Sequence, residues 1–216
     1  AAANDWQVFR GPSGDGSTTL KNLPVEWSID KNVTWKTDLP GEGWSSPVVD
    51  EGVVYLTAAI PQEDTNESTA YDLTVFGINL DKGDIAWNKT VFVQPADAPR
   101  RHQKNSHASP TPIVKDGKLY VHFGHQGTAC LSLQGEVIWK TVSVDYRPVH
   151  GNGGTPIIVD DTLVFSVDGA ATAKVVALDL SNGEVRWSFD RESSAPRKFS
   201  FSTPALIEVN GKRQIV

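Results

Sequence analysis

The sequence predicts an all-β chain, built of four-stranded antiparallel blades that make up about half a β-propeller ring, roughly four blades. Three observations predict it. The pattern Gly-(Asp/Glu)-(Ile/Val)-x-Trp occurs at Gly83-Asp84-Ile85-Ala86-Trp87, Gly135-Glu136-Val137-Ile138-Trp139 and Gly183-Glu184-Val185-Arg186-Trp187. A degenerate copy, Lys31-Asn32-Val33-Thr34-Trp35, stands in register, so the tryptophans are 52, 52 and 48 residues apart. Between them lie short apolar runs rich in Val, Ile, Tyr and Phe, the residues that fit a pleated surface. Self-similarity at this period, with four such runs per copy, is the signature of a propeller blade.

Each blade reads as strands A to D. A Ser or Thr followed by Pro opens strand A: Ser46-Pro47-Val48-Val49, Thr111-Pro112-Ile113-Val114, Thr155-Pro156-Ile157-Ile158 and Thr203-Pro204-Ala205-Leu206. Hairpin turns such as Asp50-Glu51-Gly52, Lys115-Asp116-Gly117 and Asn210-Gly211 lead into strand B. Strand C follows at Val75-Phe76-Gly77-Ile78, Ala129-Cys130-Leu131 and Val175-Val176-Ala177-Leu178. Turns at Asp81-Lys82-Gly83, Gln134-Gly135 and Ser181-Asn182-Gly183 deliver the Trp-bearing strand D. The expected organisation is an N-terminal extension, 1–30, and a partial propeller, 31–216. Its blades fall at about 44–91, 107–144 and 151–190, with the start of another at 199–216 and a lone D strand at Val33-Thr34-Trp35. A half ring needs either the missing propeller half or a second chain to close it.

Composition limits the function classes. The chain has 216 residues, 39% hydrophobic and 21% charged, which is globular rather than disordered. The net charge of -6 argues against a nucleic-acid partner. No stretch approaches ~18 apolar residues, so no membrane-spanning segment is predicted. The single cysteine, Cys130, excludes an internal disulfide and cysteine-rich metal centres, and it reads as a buried, inert thiol. The absence of methionine and the opening Ala1-Ala2-Ala3 fit a chain trimmed by a signal peptidase, hence an exported, periplasmic or secreted bacterial protein.

The segment Ala177-Leu178-Asp179-Leu180-Ser181-Asn182-Gly183-Glu184-Val185-Arg186-Trp187 resembles the tryptophan-docking motif of PQQ-like propeller repeats. Those repeats build quinoprotein alcohol dehydrogenases and BamB-type outer-membrane assembly lipoproteins. The resemblance covers roughly residues 31–216, although the motif Asp of Asp179 is Asn79 and Ser132 in the other copies. Trp6-Gln7-Val8-Phe9-Arg10-Gly11-Pro12 also resembles the start of secreted bacterial PQQ-like repeat proteins. The resemblance implies about seven or eight blades in a full ring. It also gives Trp35, Trp87, Trp139 and Trp187 a structural role, each packed between neighbouring blades.

Candidate ligand-binding residues lie in the D–A and B–C loops, which emerge on one face of a four-stranded meander. They are Trp44, Arg101, His107, His125, Gln126, His150 and Asn152. Residues 99–107 form the one dense basic stretch, which suits an anion or a solvated loop. The acidic stretch 63–67 reads as a solvated loop. No catalytic residues and no metal ligands are assigned; His122 and His125 lack an identifiable third ligand. The sequons Asn32-Val33-Thr34, Asn66-Glu67-Ser68 and Asn88-Lys89-Thr90 matter only in a eukaryotic secretory route.

Three functions compete. One is a non-catalytic binding or scaffold module of the bacterial envelope or exterior, with no cofactor and with other envelope proteins among its partners. The alternative is a PQQ-dependent (quinoprotein) dehydrogenase, for which the resemblance implies PQQ, Ca²⁺, an Asp base and an adjacent-cysteine disulfide that Cys130 alone does not supply. A carbohydrate-related propeller is the third, with Trp44 and Trp6 as stacking platforms.

Overall fold

The computed structural model describes residues 5–62, 69–192 and 194–216. The opening alanines, the acidic stretch 63–67 and the sequon at Asn66 lie outside them. Three complete antiparallel sheets are present. The first is β1 (Val48–Asp50), β2 (Val53–Pro61), β3 (Tyr71–Asn79) and β4 (Ile85–Gln94). The second is β5 (Ile113–Lys115), β6 (Lys118–His122), β7 (Thr128–Ser132) and β8 (Val137–Thr141). The third is β9 (Ile157–Val159), β10 (Thr162–Asp168), β11 (Ala173–Asp179) and β12 (Val185–Asp190). A hairpin of β13 (Leu206–Val209) and β14 (Lys212–Ile215) follows. Strands pair strictly in chain order, as a meander of blades requires.

Both faces of the central blade are buried, which explains its continuous apolar runs. Leu119, Val121, Ala129 and Leu131 face the first blade, with Tyr55, Leu73 and Phe92. Their strand neighbours Tyr120 and Cys130 face the third, with Leu163, Phe165 and Leu178. The period-2 alternation of a strand thus distributes one sheet between two cores.

Blades are joined by indole docking. Trp35, Trp87 and Trp139 donate from Nε1 to the carbonyls of Leu80, Leu133 and Leu180 of the next blade, at 2.7, 3.1 and 2.9 Å. Each ring lies on the glycine of the following C–D turn. A Cβ on Gly83, Gly135 or Gly183 would stand within 2.6–2.7 Å of it, and all three have positive φ. A shared β-bulge one residue before Trp87, Trp139 and Trp187 aims each indole. Opposite these tryptophans sit Gly77, Cys130 and Ala177, all small. Asn79, Ser132 and Asp179 each accept turn N–H groups through a side-chain oxygen, so the three residue types are interchangeable there.

The Ser/Thr-Pro signature supplies a second join. The amide of Ser46 donates to Thr111 Oγ1, that of Thr111 to Thr155 Oγ1, and that of Thr155 to Thr203 Oγ1, at 3.0–3.1 Å. One hydroxyl per blade thereby satisfies a backbone donor of its neighbour.

Val33-Thr34-Trp35 forms no ladder among the described residues, where β3, β7 and β11 each carry a D strand of their own; Trp35 docks on the first blade nonetheless. The N-terminal segment is tied to the blades. Trp6 makes an antiparallel bridge with Val49, and the Gln7 carbonyl accepts from Val114, so the segment ties inner strand β1 to inner strand β5. Trp6 packs its ring on Gly11 and is half-buried.

Docking makes the tryptophans unequal. Trp139 is 9% exposed and hydrogen-bonded, whereas Trp187 is 39% exposed and has no indole partner among the described residues. Trp139→Phe leaves the Leu180 carbonyl with only the long 3.5 Å contact from the Tyr120 hydroxyl and is expected to cost about 1–3 kcal/mol. Trp187→Phe is expected to change stability by less than about 0.5 kcal/mol. Urea unfolding of the two variants measures the difference.

Candidate functional site

The loops between blades lock together on the D–A and B–C face. Residues 95–112, between β4 and β5, lie against residues 142–156, between β8 and β9. The His102 amide donates to the His150 carbonyl at 3.2 Å. Asn105 Nδ2 donates to the carbonyls of His150 (3.0 Å) and Asn152 (3.1 Å). Its Oδ1 accepts from the Ser106 amide and from Ser109 Oγ. One half-buried amide thus has both ends satisfied and fixes two loops, a connection that sequence spacing did not signal.

The candidate residues gather around this seam. Arg101 pairs with Glu42 of the preceding blade junction and donates to the Asn105 carbonyl at 2.6 Å. Its side chain is only 18% exposed. The basic stretch is therefore not a simple solvated loop; Arg101 turns inward while Arg100 faces out. Asn152 accepts from the Tyr146 hydroxyl, places Nδ2 3.2 Å from His125 Nδ1, and fills the space where a Cβ on Gly124 would stand. Only glycine fits there, at a φ of 62°. Gln126 Nε2 lies 2.8 Å from His125 Nε2. His107 lies tilted against Tyr71 at 4.7 Å and approaches Gln94 through Nε2 at 3.2 Å. His150 stands edge-to-face with His102 and with Phe199. Trp44 anchors its backbone to Ala108 while its indole is 58% exposed.

Sequence reasoning missed Glu42, Asn105, Tyr146, Phe199 and Phe201. On the same face, the Asp168 side chain is only 4% exposed. Asp168 pairs with Arg191 and accepts from Ser200 Oγ at 2.8 Å, tying the third blade to the segment that leads into β13. The alternation Phe199-Ser200-Phe201 was the one available signal.

Three histidines are held neutral. Burial pushes His107 and His125 down to about 4, and His122 to about 3. His122 sits between Thr128 and Phe165, away from the partners of His125, so the pair does not share a ligand. Among the described residues no three His, Cys, Asp or Glu side chains converge on a metal-sized point. Cys130 is buried under Trp139, and burial raises its thiol pKa.

Sheets and site together define a propeller of tryptophan-docked blades with a polar, loop-built face. A family model described as "Outer membrane protein assembly factor BamB" matches residues 17–166 and again 103–216. The chain belongs to this family of PQQ-like repeat proteins. It is 25% identical over 197 residues to the outer membrane protein assembly factor BamB of Yersinia pestis, which covers 88% of the chain and 44% of that protein. The chain thus spans less than half of that relative's length. Among solved structures it is similar to the quinohemoprotein alcohol dehydrogenase ADHIIG of Pseudomonas putida HK5, with a TM-score of 0.51 and 20% identity over 72% of this chain and 22% of that one. The quinohemoprotein alcohol dehydrogenase of Comamonas testosteroni gives 0.51 and 17% over 74% and 23%. These two likenesses are of fold. No helix among the described residues is long and apolar enough to cross a membrane.

The residues present do not fit the PQQ–calcium centre that the repeat resemblance raised. One cysteine provides no adjacent-cysteine disulfide, and no acidic cluster offers a calcium-binding donor set among the described residues.

The neutral histidines set a pH window. The unfolded chain protonates these imidazoles below about pH 6.5, but folded His107 and His125 do so only below about 4. Stability is expected to be lost progressively as pH falls through that interval. Asp15 and Asp179, held near 2, act only below their ordinary value of 3.8. The thermal midpoint recorded from pH 7 to pH 4 should decline, and His107→Gln with His125→Gln should flatten the decline.

Proposed function

We propose that this chain is a non-catalytic, protein-binding propeller of the bacterial envelope, presenting its loop face to other envelope proteins on the periplasmic side of the outer membrane. One observation carries this reading: the Asn105 amide locks the loops of two blades into a preformed surface. Preorganised surfaces bind without an ordering cost. The membership in the family described as an outer membrane assembly factor supports both the location and the kind of partner. Tyr146 donates to Asn152, the side-chain nitrogens of Asn152 and Gln126 lie against the two ring nitrogens of His125, and no nucleophile stands beside a free base in that set. The reading calls on no cofactor.

A photo-crosslinking amino acid at Trp44 or Val149, in the longest natural form of the chain and in living cells, should give discrete crosslinked products. The same probe at Lys82 or Asn182, on the opposite turns, should give none. Products from the turns alone would overturn the reading. Titration with PQQ and Ca²⁺ should leave the tryptophan fluorescence unquenched; saturable quenching would return the dehydrogenase alternative.

A further inference from the structure

The seam between residues 95–105 and 145–152 carries four cations, Arg100, Arg101, Lys104 and Arg147, against two carboxylates, Asp97 and Asp145, in a chain whose net charge is -6. Arg101 is neutralised by Glu42. Arg100 and Arg147 are not: both are exposed, and no carboxylate of the described residues pairs with either. They line one cleft of about 460 Å³, each beside a proline, Pro99 and Pro148. Asp97 also lines it, one negative charge against two guanidiniums. Directly along the seam, beyond the hydrogen bond from His102 to His150, lies a second pocket of about 320 Å³ lined by His102, Lys104, Asn105, His150, Gly153 and Phe201. Its rings connect edge to face through Phe199 behind them: His102 to His150 at 5.5 Å, His150 to Phe199 at 5.2 Å and Phe199 to Phe201 at 6.0 Å. Phe201 is nonetheless 46% exposed. Two unpaired guanidiniums and an open aromatic cluster thus sit side by side on a backbone that Asn105 holds rigid.

We propose that this seam is the docking site for an acidic segment of a partner protein that also bears an aromatic side chain, its carboxylates entering the cleft of Arg100 and Arg147 and its ring closing on His102, His150 and Phe201. The proposal rests on the protein-binding reading above and names the chemistry of the partner. Guanidinium forks match carboxylates bidentately, and an aromatic anchor in a pocket supplies the directional, salt-independent part of the contact. The charge complementarity runs against the overall acidity of the chain, so the preference for an anionic segment is local to this seam.

The probe is a fluorescein-labelled peptide of alternating glutamate and serine with one central phenylalanine, followed by fluorescence anisotropy with the longest natural form of the chain. Expected are saturable binding that weakens with salt, a loss of about tenfold or more in the double variant Arg100→Glu, Arg147→Glu, and a weaker fit of Phe201→Ala. Both variants change exposed side chains, and their thermal midpoints check that the fold persists. A peptide lacking the phenylalanine should bind less tightly, and the lysine counterpart should not bind. The proposal is overturned by absence of saturable binding, by equal affinity of the charge-reversed variant, or by displacement of the peptide by inorganic phosphate at the same concentration as by unlabelled peptide. Loop-face crosslinks in cells that persist in the charge-reversed variant would sink this inference and leave the protein-binding reading intact. Absence of loop-face crosslinks in the unmodified chain would remove that reading itself.

Discussion

Each blade buries an indole of the previous blade on the glycine of its own C–D turn, and the rest of the structure follows from that contact. The indole N–H and the leucine carbonyl fix the distance between sheets, while the flat ring on a glycine fixes their angle. A bulge before each tryptophan turns the side chain toward the neighbour without breaking the ladder. Because contacts run only between adjacent blades, stability is a sum of repeat and interface terms. The inner hydroxyl relay from Ser46 to Thr203 and the strap of Trp6 and Gln7 reinforce the same nearest-neighbour scheme near the axis.

That rigidity frees the loops. Once the sheets are fixed by indoles at one level and by threonines at another, the segments between blades need not contribute to the core, and their polar groups engage one another. Asn105, Arg101, Tyr146 and Asn152 spend their hydrogen-bonding capacity on neighbouring loops rather than on solvent. The histidines enclosed by this network lose their solvation and stay neutral. The groups left over at the surface, Arg100, Arg147, Trp44 and Phe201, give the face its character.

Much of this was legible beforehand, and for an identifiable reason. The docking tryptophans, the turn glycines and the Ser/Thr-Pro pairs recur because each blade solves the same packing problem, and recurrence is visible in a single sequence. The lone D strand expected at Val33-Thr34-Trp35 makes no ladder among the described residues, where every C strand already has a D strand of its own, yet Trp35 docks on the first blade as the motif predicts. The candidate site was half legible. His107, His125, His150 and Asn152 were found because loop position alone selects them, whereas Asn105 and Glu42 were not, because nothing local marks a side chain whose partners lie in another blade.

The sequence by itself determined the blade: its strands, its turns and the residues that join it to the next. These depend on local periodicity and on motifs repeated at a fixed interval, and a linear reading carries both. Only the tertiary structure decided that Arg101 turns inward to Glu42 while Arg100 and Arg147 stay unpaired, and that four aromatic rings from three loops line up beside them. Those arrangements arise between segments about 45 to 60 residues apart, brought together by the stacking of blades. No single repeat encodes them, since each repeat holds only one side of the contact.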